Sequence, residues 1–305
     1  MKLRLGTRAS VLARTQSGMV ADSITEAAAR RGVELEVELV MIRTEGDVNR
    51  QSLVGISQTG VFVNALRDAL MAGVCDVIVH SLKDIPTAAH ADLELAAIPA
   101  REDVRDALCT RGESLADLPQ GARVGTGSPR RAAQIKALRP DLNVEGLRGN
   151  IDTRLGKLDD GLDAVVLAAA GLSRIGRSEA ATQLLEPTEM LPAPGQGALA
   201  VEIMPDADPT WADAVRDLDD IATRQAVTAE RALLGVLDAG CAAPVGAYAT
   251  VKGGTLTLRS RVINGSGTLA LNETSTGPAS EANSLGRRTG FTLLGRGAAR
   301  LMGGS

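Results

Sequence analysis

The chain has 305 residues, which allows two or three domains, and its 44% apolar and 23% charged content describes an ordinary globular protein. A net charge of −4 gives no global field for polyanions, and the four aromatics (Phe62, Trp211, Tyr248, Phe291) offer no base-stacking platform. Composition therefore weighs against nucleic-acid binding, and any anion site must be a local concentration of arginine. There is no apolar run of the ~20 residues that span a bilayer and no apolar signal core in MKLRLGTRAS, so no membrane role and a cytoplasmic location are expected. Three widely spaced cysteines and two histidines argue against a disulfide framework or a metal site.

Lys2–Gly6 alternates as a short strand, and Gly6-Thr7-Arg8-Ala9-Ser10 opens a helix running to about Arg31. Val33–Ile42 predicts a strong strand. Thr44–Thr59 is polar and lacks periodicity, and a loop of that length reads as a functional lid. Gly60–Ala72 predicts an amphipathic helix, and Cys75–His80 a buried strand ending in Ser81-Leu82-Lys83-Asp84. After the charged run Arg101–Arg105 the pattern returns. A strand near Val124, a glycine turn, a helix to Leu138, a strand near Leu142–Gly146, a helix over Ile151–Leu158 and a buried strand at Asp163–Ala168 follow in turn. DAVVLAAAGL at 163–172 echoes DVIVHSLKDI at 76–85. Two similar α/β lobes are expected, with ligands beyond the carboxyl ends of the strands. Pro187–Pro194 is a proline-rich crossing, and the strand Ala198–Ile203 is expected to return to the first lobe. Thr223–Leu237 predicts a helix closed by Gly240, with Cys241 directly after it. Strands near Ala247–Val251 and Leu256–Ile263, a Ser/Gly-rich stretch beyond Leu271 and a final helix near Leu285–Leu301 complete the chain.

The turn at Val124–Pro129 combines strand, glycines, cap hydroxyls on Thr126 and Ser128, and proline at the first helical position. Free backbone N–H groups and the helix dipole favour an anion there, and Arg130 and Arg131 add two guanidinium forks. Arg8, Lys83, Arg148, Arg154 and Arg174 fall at comparable strand and loop ends. Singly, each reads as a solvated surface charge; seven in matched positions of two lobes read as a polyanion site. Asp84 stands as a carboxylate among these cations. Cys241 reads either as a small buried residue or as a reactive thiol.

The chain resembles the porphobilinogen deaminase (hydroxymethylbilane synthase) family along nearly its whole length. The resemblance rests on Gly6–Ser10, His80–Asp84, Gly125–Arg131, Leu147–Asn150, Asp152–Leu155, Ala170–Arg174, Gly195–Ala198 and Thr228–Arg231 leading to Gly240-Cys241, and fades after about Val262. It implies a transferase of porphyrin (heme) biosynthesis that joins four porphobilinogen molecules head to tail, losing ammonia each time, to give a linear hydroxymethylbilane. It implies a dipyrromethane cofactor held by a thioether to Cys241, and Asp84 as the catalytic carboxylate. Ser10, Lys83, Thr126, Ser128, Arg130, Arg131, Arg154 and Gln196 would contact the cofactor, and Arg8, Ser10, Phe62, Arg148, Arg154 and Arg174 the substrate. No metal and no macromolecular partner are implied, and a monomer is expected.

The implied fold is two lobes of the periplasmic-binding-protein type plus a smaller α+β third domain. Its expected boundaries are 1–98 with 198–217 for the first lobe, 99–197 for the second and 218–305 for the cysteine-bearing domain. Pyrroles carrying acetate and propionate suit an arginine-lined cleft. A carboxylate beside the pyrrole nitrogen can stabilise the cationic azafulvene left by deamination. The chain departs from the common pattern at Thr59, where many relatives have lysine, at Gly127, where serine is usual, and at Ala239, the first position of a usual Gly-Gly-Cys. The rival expectation is a two-lobed polycarboxylate-binding protein without catalysis, which has no use for Asp84 or a reactive Cys241.

Overall fold

The computed structural model describes residues 1–42, 58–239 and 243–303. The chain divides into two compact units, Met1–Arg101 with Ala198–Arg224, and Glu102–Gly197 with Gln225–Ser305.

In the first unit, the alternation of KLRLGT produces β1 (Lys2–Thr7), which buries Leu3 and Leu5. Helix α1 (Val11–Arg30) starts where the Ser10 hydroxyl accepts a hydrogen bond from the Ala13 N–H at 3.3 Å. It lays Val20, Ile24, Ala27 and Ala28 against the sheet at helical spacing. Strand β2 (Glu36–Met41) pairs in parallel with β1, shorter than the expected Val33–Ile42. The expected lid at Thr44–Thr59 lies almost wholly outside the described residues, which resume in α2 (Gln58–Met71). Strand β3 (Val77–Ser81) runs parallel to β1 and ends in a 3-10 turn, Leu82–Asp84. Strand β4 (Glu94–Ala97) follows.

The strand that completes this sheet comes from later in the chain, β10 (Leu199–Ile203). It inserts antiparallel between β3 and β4, as expected of the segment after Gly197, and gives the order β2-β1-β3-β10-β4. A helix the sequence reading missed, Pro209–Arg216, is capped by Asp208 and packs Ala212, Ala214 and Val215 into the same core.

The second unit repeats the plan. Strands β5 (Asp106–Cys109), β6 (Arg123–Thr126), β7 (Asn143–Gly146), β8 (Ala164–Ala168) and β9 (Gln183–Leu185) form a sheet of order β7-β6-β8-β5-β9. Strand β6 is parallel to both neighbours, while β5 is antiparallel to β8 and β9. Position for position this is the first sheet again: β6 replaces β1, β8 replaces β3, and β5 takes the place of β10. The echo between residues 76–85 and 163–172 therefore marks equivalent strands. Helices α3 (Pro129–Leu138), α4 (Ile151–Leu155) and α5 (Ala169–Arg174) follow β6, β7 and β8.

The remainder of this unit is α+β. Helix α6 (Pro209–Arg216) belongs to the first unit, and α7 (Ile221–Val236) begins in the first and continues into the second. Strands β11 (Val245–Lys252), β12 (Thr255–Ile263) and β13 (Ala270–Pro278) form an antiparallel meander covered by α8 (Ala282–Gly295), and α9 (Ala298–Leu301) follows. The Ser/Gly-rich stretch is thus largely an edge strand. The glycines of the last long helix have a packing reason: a Cβ on Gly286 would lie 2.2 Å from the Ala229 carbonyl oxygen, and one on Gly290 2.7 Å from Val236 Cβ. Bare backbone there lets α8 sit directly on α7. The expected closing residue, Gly240, lies outside the described residues. Asp238 takes the left-handed conformation (φ 48°). Its N–H donates to Gly235 O and that of Ala239 to Leu234 O, the five-to-two and six-to-one bonds of a Schellman stop.

Candidate active site

In the first unit, the parallel pairing of β1 with β3 sets their carboxyl ends side by side. Arg8 and Ser10 follow β1, and Lys83 and Asp84 lie in the turn after β3; all four are partly buried. Gln16 of α1 donates to the Ser81 hydroxyl at 3.0 Å, tying the helix to the start of that turn. Asp84 forms no hydrogen bond or ion pair with another described residue. Phe62 lies in α2, and its side chain is outside what is described.

Deeper in this sheet sits a buried ion cluster. Arg67 of α2 meets Glu202 of β10 with Nε and Nη2 at 2.9 and 2.5 Å, and His80 Nε2 lies 3.4 Å from the same carboxylate. Burial alone would raise the Glu202 carboxyl, but His80 and Arg67 hold it down at about 2.

In the second unit, the turn after β6 has the local chemistry its sequence announces. The Ser128 hydroxyl caps α3 by accepting from the Arg131 N–H at 3.4 Å, and Pro129 takes the first turn. Thr126 Oγ1 accepts from the Ser128 N–H at 3.3 Å. Gly127 is a spatial necessity: a Cβ there would lie 2.5 Å from the Leu147 carbonyl oxygen. A serine there does not fit this backbone without a shift, so the expected departure at this position involves more than a hydroxyl. Arg154 Nε donates to Gly149 O at 2.8 Å, close beside the same turn. Arg148 is exposed and makes no hydrogen bond or ion pair among the described residues.

Arg130 and Arg131 depart from their expected setting. Neither is a surface fork: they are 3% and 5% exposed, and both converge on Asp106, which is wholly buried at the start of β5. Arg130 Nη1 donates to Asp106 Oδ2, and Arg131 Nε to Oδ1, both at 2.8 Å. Gln196 Nε2 donates to the same Oδ1 at 2.9 Å and to Val104 O at 2.8 Å. Burial would raise the Asp106 carboxyl, but the two guanidiniums hold it far below the usual carboxylate range. Two cations against one anion leave the cluster with a surplus positive charge.

Burial lowers the pKa of Arg130 and of Arg174, with Asp106 and Glu102 respectively opposing it. Arg174 Nη2 donates to Gly197 O at 2.6 Å, yet its Nε, like that of Arg130, is buried without a partner. Orphaned guanidinium donors are costly unless a ligand meets them. Carboxylates are suited to do so, and the residues present fit a polycarboxylate cofactor.

Cys75 and Cys109 are buried in apolar surroundings that push their thiols up to about 11, so neither is a nucleophile at neutral pH. Cys241 lies outside the described residues. No group of three or more metal-ligating side chains occurs among the described residues, and no helix among them is long and apolar enough to cross a membrane.

Two sheets of one strand order, with an appended α+β segment, define a mixed α/β fold. Solved structures with some likeness include the methionine-binding protein MetQ (TM-score 0.43, 13% identity, 70% of this chain and 89% of that one). A TRAP solute-binding protein from Sulfitobacter sp. NAS-14.1 scores 0.42 at 10% identity, over 72% of this chain and 80% of that one.

Residues 3–211 match the porphobilinogen deaminase dipyrromethane cofactor-binding domain, and residues 224–295 the porphobilinogen deaminase C-terminal domain. The porphobilinogen deaminase of Acidothermus cellulolyticus is 52% identical over 98% of this chain and 91% of its own. That of Corynebacterium diphtheriae is 47% identical over 99% and 100%. The chain belongs to the porphobilinogen deaminase family, the hydroxymethylbilane-forming transferases with a dipyrromethane cofactor.

The residue missed by sequence reading is Asp106. It directly follows the charged run Arg101–Arg105, and only the tertiary pairing reveals that its carboxylate is buried under two arginines.

Proposed function

We propose that the chain condenses four porphobilinogen molecules head to tail, releasing one ammonia per unit, on a dipyrromethane linked through a thioether to Cys241. Water then releases the linear hydroxymethylbilane. The observation that carries this reading is the set of under-bonded guanidiniums at the strand ends of the second unit, Arg130, Arg148 and Arg174, within a chain of this family. When bound, the cofactor supplies the ring carbon on which the chain of pyrroles grows. Thr126, Ser128, Arg130, Arg131, Arg154, Gln196, Lys83 and Ser10 are the residues that would hold it. Arg8, Ser10, Phe62, Arg148, Arg154 and Arg174 would orient substrate carboxylates.

Asp84 has the chemistry for the reacting ring. Its carboxylate can hold the pyrrole N–H and stabilise the positive charge that develops as the amine departs, and it can pass a proton to that amine. Cys75 and Cys109 are buried with raised thiols, which weighs against either as the attachment point. We read the two sheets as the two lobes and the α+β part as the domain that carries this cysteine, in a cytoplasmic monomer.

Intact-protein mass spectrometry tests the reading. The purified protein is expected to exceed its sequence mass by two linked pyrrole units, and Cys241→Ser to show the bare mass. Porphobilinogen turnover by protein that carries no adduct at any stage would contradict it.

A further inference from the structure

The two arginines after β6 are not equivalent. Every nitrogen of the Arg131 guanidinium is engaged: Nε with Asp106 at 2.8 Å, Nη1 with Val166 O at 3.1 Å, and Nη2 with Asp106 Oδ1 at 2.8 Å and Gln196 Oε1 at 3.4 Å. Arg130 uses only Nη1, shared between Asp106 at 2.8 Å and Leu191 O at 2.5 Å. Its Nε is buried without a partner. Asp106 therefore divides the pair, locking one fork completely and holding the other by a single corner.

We propose that Asp106 is a positioning residue, an internal counter-ion that fixes Arg131, presents the open edge of Arg130, and leaves one surplus positive charge for a cofactor carboxylate. This rests on the reading above that these arginines meet the cofactor. Two buried guanidiniums with no anion repel one another and lack solvent to screen them. One carboxylate makes the empty state tolerable without neutralising it. A second carboxylate, brought by the cofactor, completes the balance. Gln196 belongs to the same device, since its amide orients Asp106 without adding charge. A glutamate at position 196 would cancel the surplus before any ligand arrived.

The test is a thermal-unfolding cycle. Asp106→Asn is measured with Cys241 intact, loaded as judged by mass, and in the Cys241→Ser background, which carries no adduct. The proposal predicts a larger loss of Tm in the Cys241→Ser background, by several degrees, because in the loaded protein the cofactor carboxylate replaces the missing charge. Folding of Asp106→Asn only when loaded is the same result in its extreme form. Equal losses in both backgrounds would show a merely structural aspartate and overturn the proposal.

Should neither form fold, Gln196→Glu applies the opposite charge change. The stabilisation that loading confers must then shrink relative to the parent, and an unchanged increment overturns the proposal. If wild-type and Cys241→Ser proteins show no mass difference beyond the substitution itself, the cofactor reading fails first and takes this inference with it.

Discussion

The two α/β units share one strand order, and each buries a carboxylate on the strand that inserts antiparallel, yet the two clusters serve opposite ends. Glu202 of the first unit lies opposite Ile78, inside the sheet. Its one bidentate arginine, Arg67, neutralises it, and both side chains are at most 6% exposed. Asp106 of the second unit lies opposite Ala168, at the carboxyl end of β8, and faces two arginines. One cluster is balanced and set back from the strand ends. The other is over-charged and placed where ligands bind in such sheets. On the proposed function, the repeated scaffold separates stabilisation from recognition by shifting a carboxylate along the equivalent strand and adding one cation.

The comparison breaks most visibly at Arg67. Arg67→Leu leaves Glu202 with only His80, and removing one partner of a buried pair costs about 3–5 kcal/mol. Urea unfolding should show that loss, while the adduct mass of whatever folds stays normal. Loss of the adduct would put the first cluster in the binding machinery too. Arg130→Leu should do the reverse. Losing a charge-assisted hydrogen bond costs ~1.5–3 kcal/mol, roughly tenfold or more in affinity, and the protein should accumulate without its pyrrole adduct. Full loading would reduce Arg130 to a structural cation.

Acid sharpens the contrast. Glu202 titrates at about 2 when folded, below the ~4.3 of an unfolded glutamate. Its contribution is therefore complete above pH ~4.3 and is lost as pH falls toward 2. Stability measured across that window should fall less steeply in Glu202→Gln than in the parent, and parallel curves would contradict the assignment. The smallest effect is expected beside the cysteine. Asp238 holds φ 48° at the end of α7, so Asp238→Gly should stabilise by up to about 1 kcal/mol. A loss of stability would mean that the aspartate side chain is needed there.

Much of this was legible in the sequence because the signals are local. Ser128 and Pro129 announce a capped helix, Gly6-Thr7 and Gly125-Thr126 end matching strands, and Asp84 stands out among cations. What escaped depends on distant partners. Strand β13, ALNETSTGP, has little apolar alternation and is held by its register with β12 from Thr255↔Pro278 to Ile263↔Ala270. Asp106 lies 24 residues from Arg130 in sequence, and nothing near it signals complete burial. The helix Pro209–Arg216 is the exception, since Asp208 and Pro209 are a visible start signal.

The most direct test of the account is ammonia release by Asp84→Asn, assayed with ligand binding on the same loaded preparation. The substitution keeps shape but removes the charge and the proton acceptor, whereas the arginines proposed to hold substrate carboxylates are untouched. Turnover should fall by ~10²-fold or more while porphobilinogen still binds, as for loss of a general acid–base group, and Asp84→Glu should retain more activity than Asn. Ammonia release by Asp84→Asn at the wild-type rate would contradict the account.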